Sequence, residues 1–497
     1  MPAPRVPTMT SDEFADAFVL ERDPAFQEFQ AERRSHWDGV ARRLRGHRRW
    51  GAYYHRRLAS VFRRFIRPGL RVLEIGCAEG DLLAALNPNQ GLGVDFSEEM
   101  IRLASERHPE LLLVQADGHA LPFSAPFDVI ILSDLLNDVW DVQQILREVA
   151  RLSGPRTRVW ITSYNRLWEA PLGLVSRLGL AHPNLHQNWL TVEDIRNLLY
   201  LTRFEMIRFW QEVLWPLAMP LLEPVFNRFL VAFWPFLHLA LANVIVARPW
   251  PAMGSRGSRP SVSIVVPARN EAGNVPELLR RLPALAPEQE VLFVEGHSRD
   301  DTYDVVEREI ASHPQVRARL IRQPGTGKGD AVREGFSRAR CEILMILDAD
   351  LTVPPEDLVR FYDVLVDGSA EMANGVRLVY PMEGEAMRFF NLVGNKLFSL
   401  AFSWLIGQPI KDTLCGTKAL WRADYEVIAD RRAYFGETDP FGDFDLLLGA
   451  ARENLRIVDV PIRYRRRAYG TTNISRWKHG VALMNMIDRA ARKLRFL

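Results

Sequence analysis

Each half of the chain opens with an apolar β-type run, passes through a polar turn, and continues in a pattern with helical spacing. In the first half, Arg71-Val-Leu-Glu-Ile75 is such a run, closed by Gly76-Cys-Ala-Glu-Gly80 and followed by the helical DLLAALNP. GLGVD ending at Asp95, LLLVQ leading to Ala116-Asp117-Gly118, and FDVIILSD ending at Ser133-Asp134 read as three further strands. Phe204–Phe209 and Leu239–Val246 read as two further strands. In the second half, SVSIVV runs into Pro267-Ala268-Arg269-Asn270-Glu271, and EVLFVE ends at Glu295 before Gly-His-Ser-Arg-Asp-Asp-Thr302. RQPGTGKGDAVREGF then precedes the strand CEILMILDADL. Strands alternating with helices predict two α/β domains.

The clearest break is Pro249–Pro260, rich in Pro, Gly and Ser, which suits a linker. The expected organisation is a basic helical extension over 1–49, a first α/β domain over 50–248, a linker over 249–260, a second domain over 261–478, and an amphipathic basic helix over 479–497. The most hydrophobic run, Phe229–Ala247, is nearly long enough to span a bilayer, but Pro235, His238 and Asn243 interrupt it. Its end, LALANVIVAR, reads as a buried strand, so the run is expected to be buried or membrane-apposed. Leu397–Gly407 is apolar but too short to cross. Met1–Thr10 has no apolar core, and no signal peptide is expected.

Composition narrows the class. Of 497 residues, 47% are hydrophobic and 25% charged, which excludes a mostly disordered, collagenous or multi-pass membrane chain. A formal net charge of +2 carries no global polyanion signature, so no nucleic-acid partner is expected. Arginine clusters over 32–71, interleaved with aromatics, and again over 451–497 read either as solvated helix faces or as attraction to anionic membranes and phosphate-bearing substrates. Cys77, Cys341 and Cys415 are far apart. That excludes a cysteine-pair zinc site and a disulfide framework, and a reducing, cytoplasmic setting follows.

The chemistry of the first half lies at the strand ends. A strand, a glycine turn and a helix present backbone N–H groups to a negatively charged ligand group. A carboxylate at Asp95 can accept both hydroxyls of a ribose, Asp117 sits where an adenine edge could be hydrogen-bonded, and Ser133 lies on the same rim. Together these motifs resemble the class I S-adenosylmethionine-dependent methyltransferases over about residues 50–248. The resemblance implies a Rossmann-like domain in which Glu74 and the turn of Gly76, Ala78 and Gly80 hold the methionine part, Asp95 the ribose and Asp117 the adenine. Ala78 departs from the usual glycine, and a slightly altered turn is expected. Asn137, Asp138, His186 and Trp189 are candidates for an acceptor pocket, although such residues are more often capping or packing residues.

In the second half, Gly325-Thr-Gly-Lys-Gly329 is not a P-loop, because Lys328 is followed by Gly329 and Asp330 rather than Ser or Thr. Asp348-Ala-Asp350 ends an apolar strand. Two carboxylates there call for a cation, and one residue apart they suit Mg²⁺ or Mn²⁺, which would neutralise a departing diphosphate. With the flanking motifs, this constellation resembles family 2 glycosyltransferases of the GT-A fold, and among them the polyprenyl-phosphate sugar synthases, over about residues 260–478. The resemblance implies a nucleotide-diphosphate-sugar pocket lined by Pro267, Ala268, Glu271, Glu295 and Lys328, with Asp348 and Asp350 facing metal and diphosphate. It also implies Arg377 and Arg388 toward the phosphates, and Asp412, Cys415, Gly416, Lys418 and Arg467 on the acceptor side, for an inverting transfer. Glu295-Gly296 departs from the usual Asp-Asp, and the chain carries no long apolar tail. Asp443, in FGDFDL, falls where the resemblance implies the general base for a hydroxyl acceptor; it also reads as a helix N-cap, and the two roles are compatible.

The combined expectation is a bifunctional enzyme of two α/β domains, a Rossmann-like methyltransferase followed by a GT-A glycosyltransferase. It would use S-adenosyl-L-methionine and a divalent metal, and act on a polyprenyl phosphate or related glycolipid at the inner face of a membrane. The alternative is a single-activity glycosyltransferase whose first half is a binding or membrane-docking module.

Overall fold

The computed structural model describes residues 23–45, 52–177, 185–217, 219, 222–251, 259–380, 389–435, 442–467, 469 and 476–496. The chain divides into two compact units, Met1–Trp250 and Pro251–Leu497.

The first unit is built on seven strands: β1 (Arg71–Ile75), β2 (Gln90–Asp95), β3 (Leu112–Gln115), β4 (Phe127–Ser133), β5 (Ser153–Tyr164), β6 (Phe204–Glu212) and β7 (Ala242–Pro249). Their order is β3-β2-β1-β4-β5-β7-β6, with β7 antiparallel to both neighbours. Strand order reverses between β1 and β4, which places a crevice outside their carboxyl ends. Helices cover both faces of such a sheet, so its inner strands read as continuous apolar runs; Leu73, Val94, Ile130, Leu132, Val159 and Ile161 are all core residues. The helix Val142–Arg151, capped by the Asp141 carboxylate on Gln144 N (3.0 Å), buries Val142, Ile145, Leu146 and Val149 against that core.

Two differences from the sequence reading matter for the site. The basic N-terminal stretch contains the helix Pro24–Leu44, whose Trp37, Val40, Ala41 and Leu44 pack with Met100 and Leu103; it is an integral layer of the first unit. The closing strand begins at Ala242 rather than Leu239. The Asn165 side-chain amide donates to the carbonyls of His238 (2.9 Å) and Ala240 (3.0 Å), and the Trp168 indole to that of Leu239 (2.9 Å). Carbonyls held by side chains are diverted from a ladder, so Phe236–Leu239 stays a 3₁₀ turn. The apolar run Phe229–Ala247 is thereby split into an exposed part and a buried strand.

The second unit carries β8 (Val262–Ala268), β9 (Gln289–Glu295), β10 (Ala318–Arg322), β11 (Ile343–Ile346), β12 (Met372–Val376), β13 (Lys418–Trp421) and β14 (Ile457–Pro461). The order is β10-β9-β8-β11-β13-β12-β14, with β13 antiparallel to β11 and β12. β8, β9 and β11 run parallel and end on one rim. Ile264, Val266, Phe293, Met345, Leu347, Phe361 and Tyr362 form the core between sheet and helices. The Tyr362 hydroxyl donates to the Pro260 carbonyl (2.7 Å), and β7 runs to Pro249, so both ends of the Pro/Gly/Ser stretch are tied down. The last helix spans Arg476–Leu494. Among the described residues no helix is long and apolar enough to cross a membrane.

Candidate functional site

In the first unit the turn after β1 takes its shape from left-handed residues: Gly76 at φ 75°, Ala78 at φ 45° and Gly80 at φ 76°. Ala78 thus occupies a conformation that favours glycine, and the turn is kept by its contacts. Ala78 N donates to Asp95 Oδ2 (3.0 Å), while Ser97 N donates to Asp95 Oδ1 (2.9 Å). Asp95 is therefore fixed at the end of β2 facing the crevice. Burial pushes its carboxyl up to about 6, against the lowering effect of those two N–H groups, and the nearby Asp138 and Asp38 add to the rise.

The crevice is a cavity of about 200 Å³ lined by Gly76, Ala78, Asp95, Asp117, Ser133 and Asp134, among others. Glu74 and Gly80 lie behind the turn. Glu74 is buried and raised to about 8, chiefly by desolvation, and its Oε2 meets no donor in the protein. Gly80 starts the helix Asp81–Ala85 and faces His108 and Leu111. Asp117 lines the cavity with its Oδ1 on His119 N (2.9 Å) and on the His119 ring (2.7 Å), and its Oδ2 on Gln30. Burial alone would raise this carboxyl; His119 and Gln30 override it and hold it below the ordinary range.

The far wall was not read from the sequence. Phe29, Gln30, Arg33 and Trp37 of the helix Pro24–Leu44 line the cavity. Arg33 pairs with Asp138 (2.7 Å), and the Trp37 indole donates to the same carboxylate (2.6 Å). The spacing of Phe26, Phe29, Gln30, Arg33 and Trp37 puts them on one helical face, which is the signal that could have found them; the arginine content drew the reading toward solvent instead. Of the acceptor-pocket candidates, Asp138 lines the cavity. Asn137 is buried and donates to Asn188 O (2.9 Å), His186 offers its backbone carbonyl to Arg33, and the Trp189 ring lies tilted against Tyr164, 6.4 Å between centres.

In the second unit the loops after β8 and β9 interlock. Arg299 N donates to Asn270 Oδ1 (2.7 Å), Asn270 N to Ser298 Oγ (3.0 Å), and Glu271 N to Thr302 Oγ1 (2.9 Å). Glu295 serves this scaffold: its carboxylate accepts from Ser298 N (2.5 Å), and its neighbours Val294 and Gly296 line the cleft. The GTGKGD loop is held by Asp330, whose Oδ2 accepts from Gly325 N (3.0 Å) and Gln323 Nε2 (2.9 Å). A Cβ at Gly442, at φ 75°, would stand 2.8 Å from Gly329 Cα, so two glycine backbones meet where the Lys328 and Asp443 segments approach.

These loops surround a cavity of about 490 Å³ lined by Pro267, Ala268, Glu271, Lys328, Asp348, Asp350, Arg377, Cys415, Gly416, Asp443 and Arg467. Every acid in it faces a cation. Lys328 Nζ is 2.5 Å from Asp348, Arg467 is 2.7 Å from Asp350 and 3.4 Å from Glu271, and Lys418 Nζ is 3.3 Å from Asp443. Burial opposes the Lys328 ammonium, but Asp348 and Asp443 more than offset it and hold it above its ordinary range. Burial likewise works against the Asp350 carboxylate, and Thr352 and Arg467 override it. Glu271 is pushed up to about 7 by desolvation, with Arg467 pulling the other way.

Two acceptor-side residues, Asp412 and Lys418, lie behind the cavity wall. Asp412 is fully buried and binds Arg377 through two hydrogen bonds (2.7 and 2.9 Å), aiming the guanidinium from below. Lys418 is also fully buried, on Asp443 and the Cys415 carbonyl. Asp443 is the first helical residue after the left-handed Gly442 and makes no cap, which removes the N-cap reading. Arg388 lies outside the described residues. Among those residues no cluster of three acidic, histidine or cysteine side chains could hold a metal. Asp348 and Asp350 alone fit the two-carboxylate share that Mg²⁺ usually takes from protein, with substrate phosphates and water completing its shell.

Residues 45–208 match the model of a methyltransferase domain, and residues 263–429 that of glycosyl transferase family 2. Glycosyltransferase AglJ of Haloferax volcanii is 29% identical over 237 residues, covering 47% of this chain and 72% of that protein. Undecaprenyl-phosphate mannosyltransferase of Micrococcus luteus is 29% identical over 234 residues, covering 45% and 92%. Polyprenol monophosphomannose synthase of Mycolicibacterium smegmatis is 27% identical over 219 residues, covering 43% and 80%. The two units are thus those of a transferase fusion. A methyltransferase domain is followed by a family 2 glycosyltransferase domain.

Proposed function

We propose that the C-terminal domain transfers a glycosyl group from a nucleotide-diphosphate sugar to a polyprenyl phosphate, and that the N-terminal domain transfers a methyl group from S-adenosyl-L-methionine. The observation that carries the first half is the cleft itself, where Asp348 and Asp350 share a wall with Lys328, Arg377 and Arg467. In this reading a phosphate oxygen of the acceptor forms the bond to the anomeric carbon as the bond to the diphosphate breaks, with inversion. Such an acceptor is already an oxyanion and needs no proton removed. That agrees with Asp443 being engaged by Lys418 rather than free to act as a base. Arg377, held by Asp412, and Lys328 would bind phosphate charge. Asp348 and Asp350 would hold a Mg²⁺ or Mn²⁺ ion, which would supply neutralisation of the leaving diphosphate.

A chain acting on a lipid-linked acceptor would work as a peripheral protein on the cytoplasmic face of a membrane. The test is nucleotide release from a panel of UDP- and GDP-sugars, with and without metal and polyprenyl phosphate. Release that depends on both supports the reading; release without the lipid would move it to a hydroxyl acceptor and to Asp443.

For the N-terminal domain, Asp95 at the end of β2 is the expected ribose partner, with Asp117 toward the adenine. One observation favours the second reading, a domain that binds without methylating. Asp138, a candidate for the acceptor pocket, is already occupied by Arg33 of the helix Pro24–Leu44. Saturable cofactor binding that Asp95→Ala removes, with methyl transfer to a glycolipid, would decide for catalysis.

A further inference from the structure

The connection between β6 and β7, residues 213–241, is far longer than the two to five residues that join ordinary antiparallel neighbours. It is ordered from within. Leu214, Val231 and Ala240 form a small core with Phe226 and Leu230. The buried Asn227 ties it down, accepting from Trp215 N (2.7 Å) and donating to Trp215 O (2.6 Å) and to the Tyr53 hydroxyl (2.8 Å). An insertion with an apolar inner side should present charge on its outer side. This one presents a second apolar side: Trp234 is 78% exposed, Leu239 52%, Val225 47%, Phe233 46%, Phe229 45% and Leu222 43%. Between residues 222 and 239 the only carboxylate is Glu223 and the only guanidinium Arg228, and the latter lies 5.7 Å from the Phe229 ring centre.

So many exposed apolar side chains along one short stretch mark a binding face. With one carboxylate and one guanidinium between residues 222 and 239 the stretch offers little charge to select a protein partner, while aromatic tips beside an arginine are the composition that settles at the headgroup boundary of a bilayer. We propose that residues 222–239 form an interfacial element that inserts its aromatic tips into the lipid surface and docks the N-terminal domain there. The proposal rests on the lipid-acceptor reading for the choice of lipid over another occupant. A surface element of this composition would bring the chain to a lipid-linked acceptor.

The test is flotation of the full chain with vesicles of phosphatidylethanolamine and phosphatidylglycerol, comparing the parent with W234S and with the pair F233S and W234S. The expected result is vesicle binding by the parent that falls by about tenfold or more in the double variant. Transfer to a short-chain, water-soluble polyprenyl phosphate should be unchanged, and an unchanged thermal unfolding transition for the N-terminal unit shows that the variant folds. No binding by the parent, or equal binding by the variants, overturns the proposal. Equal binding together with dissociation of a parent dimer in sedimentation would overturn it in favour of a second copy of the chain. A loss of vesicle binding with no transfer by any form would sustain the docking surface while removing the polyprenyl-phosphate reading.

Discussion

Lys418 carries its ammonium through a fully buried side chain to within 3.3 Å of the Asp443 carboxylate. The sequence reading put the lysine at the acceptor; in the fold it holds the cleft wall from behind, together with the Cys415 carbonyl. Removing one partner of a buried pair leaves the other charge uncompensated, at a cost of roughly 3–5 kcal/mol. Lys418→Met should therefore lower the urea midpoint sharply, and adding Asp443→Asn should restore part of the loss. A single variant as stable as the parent would show that the pair contributes nothing.

Asp350→Asn should lower metal-dependent glycosyl transfer by about 10²-fold or more, since it takes away one of the two carboxylates that would hold the metal neutralising the departing diphosphate. It also releases Arg467, which Asp350 and Glu271 now hold between them. Cofactor affinity in the N-terminal domain should stay within about threefold, because the two sites belong to separate compact units and share no partner among the described residues. Metal-dependent transfer that survives the change would refute the assignment of the metal site.

Asp95 links cofactor binding to pH. Its carboxyl is raised to about 6 by burial, so below that pH the free protein carries the protonated form, which cannot accept two ribose hydroxyls. Affinity for S-adenosylmethionine should fall about tenfold per unit below pH 6 and level off above it. The folded state also binds the proton more tightly than the unfolded chain does, so stability falls as pH rises from about 4 to about 6. Asp95→Asn should flatten both curves; calorimetric titration across this range that shows no slope would exclude Asp95 as the ribose partner.

A Cβ at Gly416 would run into the Lys328 ammonium and the Asp348 carboxylate. Gly416→Ala should therefore break the ion pair that organises the cleft and lower transfer by about tenfold or more, while circular dichroism shows an intact fold. Unchanged transfer would mean that Lys328 and Asp348 part freely during the reaction.

Much of this protein was legible from order along the chain. The runs before Gly76, Asp95, Asp117 and Ser133, and those before Pro267, Glu295 and Asp348, alternate with helical patterns. Short-range periodicity and turn chemistry are enough to make such segments strands whose polar tips share a rim. Asp95, Asp117, Lys328, Asp348 and Asp350 all line their cavities for that reason.

Tertiary structure decided the rest, because direction and partner are properties of space rather than of spacing. Glu295 and Lys418 stand next to the right motifs, yet each points into the scaffold, where buried charge must find a hydrogen bond or an opposite charge; Glu74 is buried there too, with its carboxyl raised by desolvation. Arg33 and Trp37 sit outside any motif and reach the cavity because one face of their helix packs on the core. The Phe229–Ala247 run divides at Ala242 because side chains more than sixty residues away in sequence claim its carbonyls. The chain order alone determined where two binding rims form; only the packed fold determined which side chains face them.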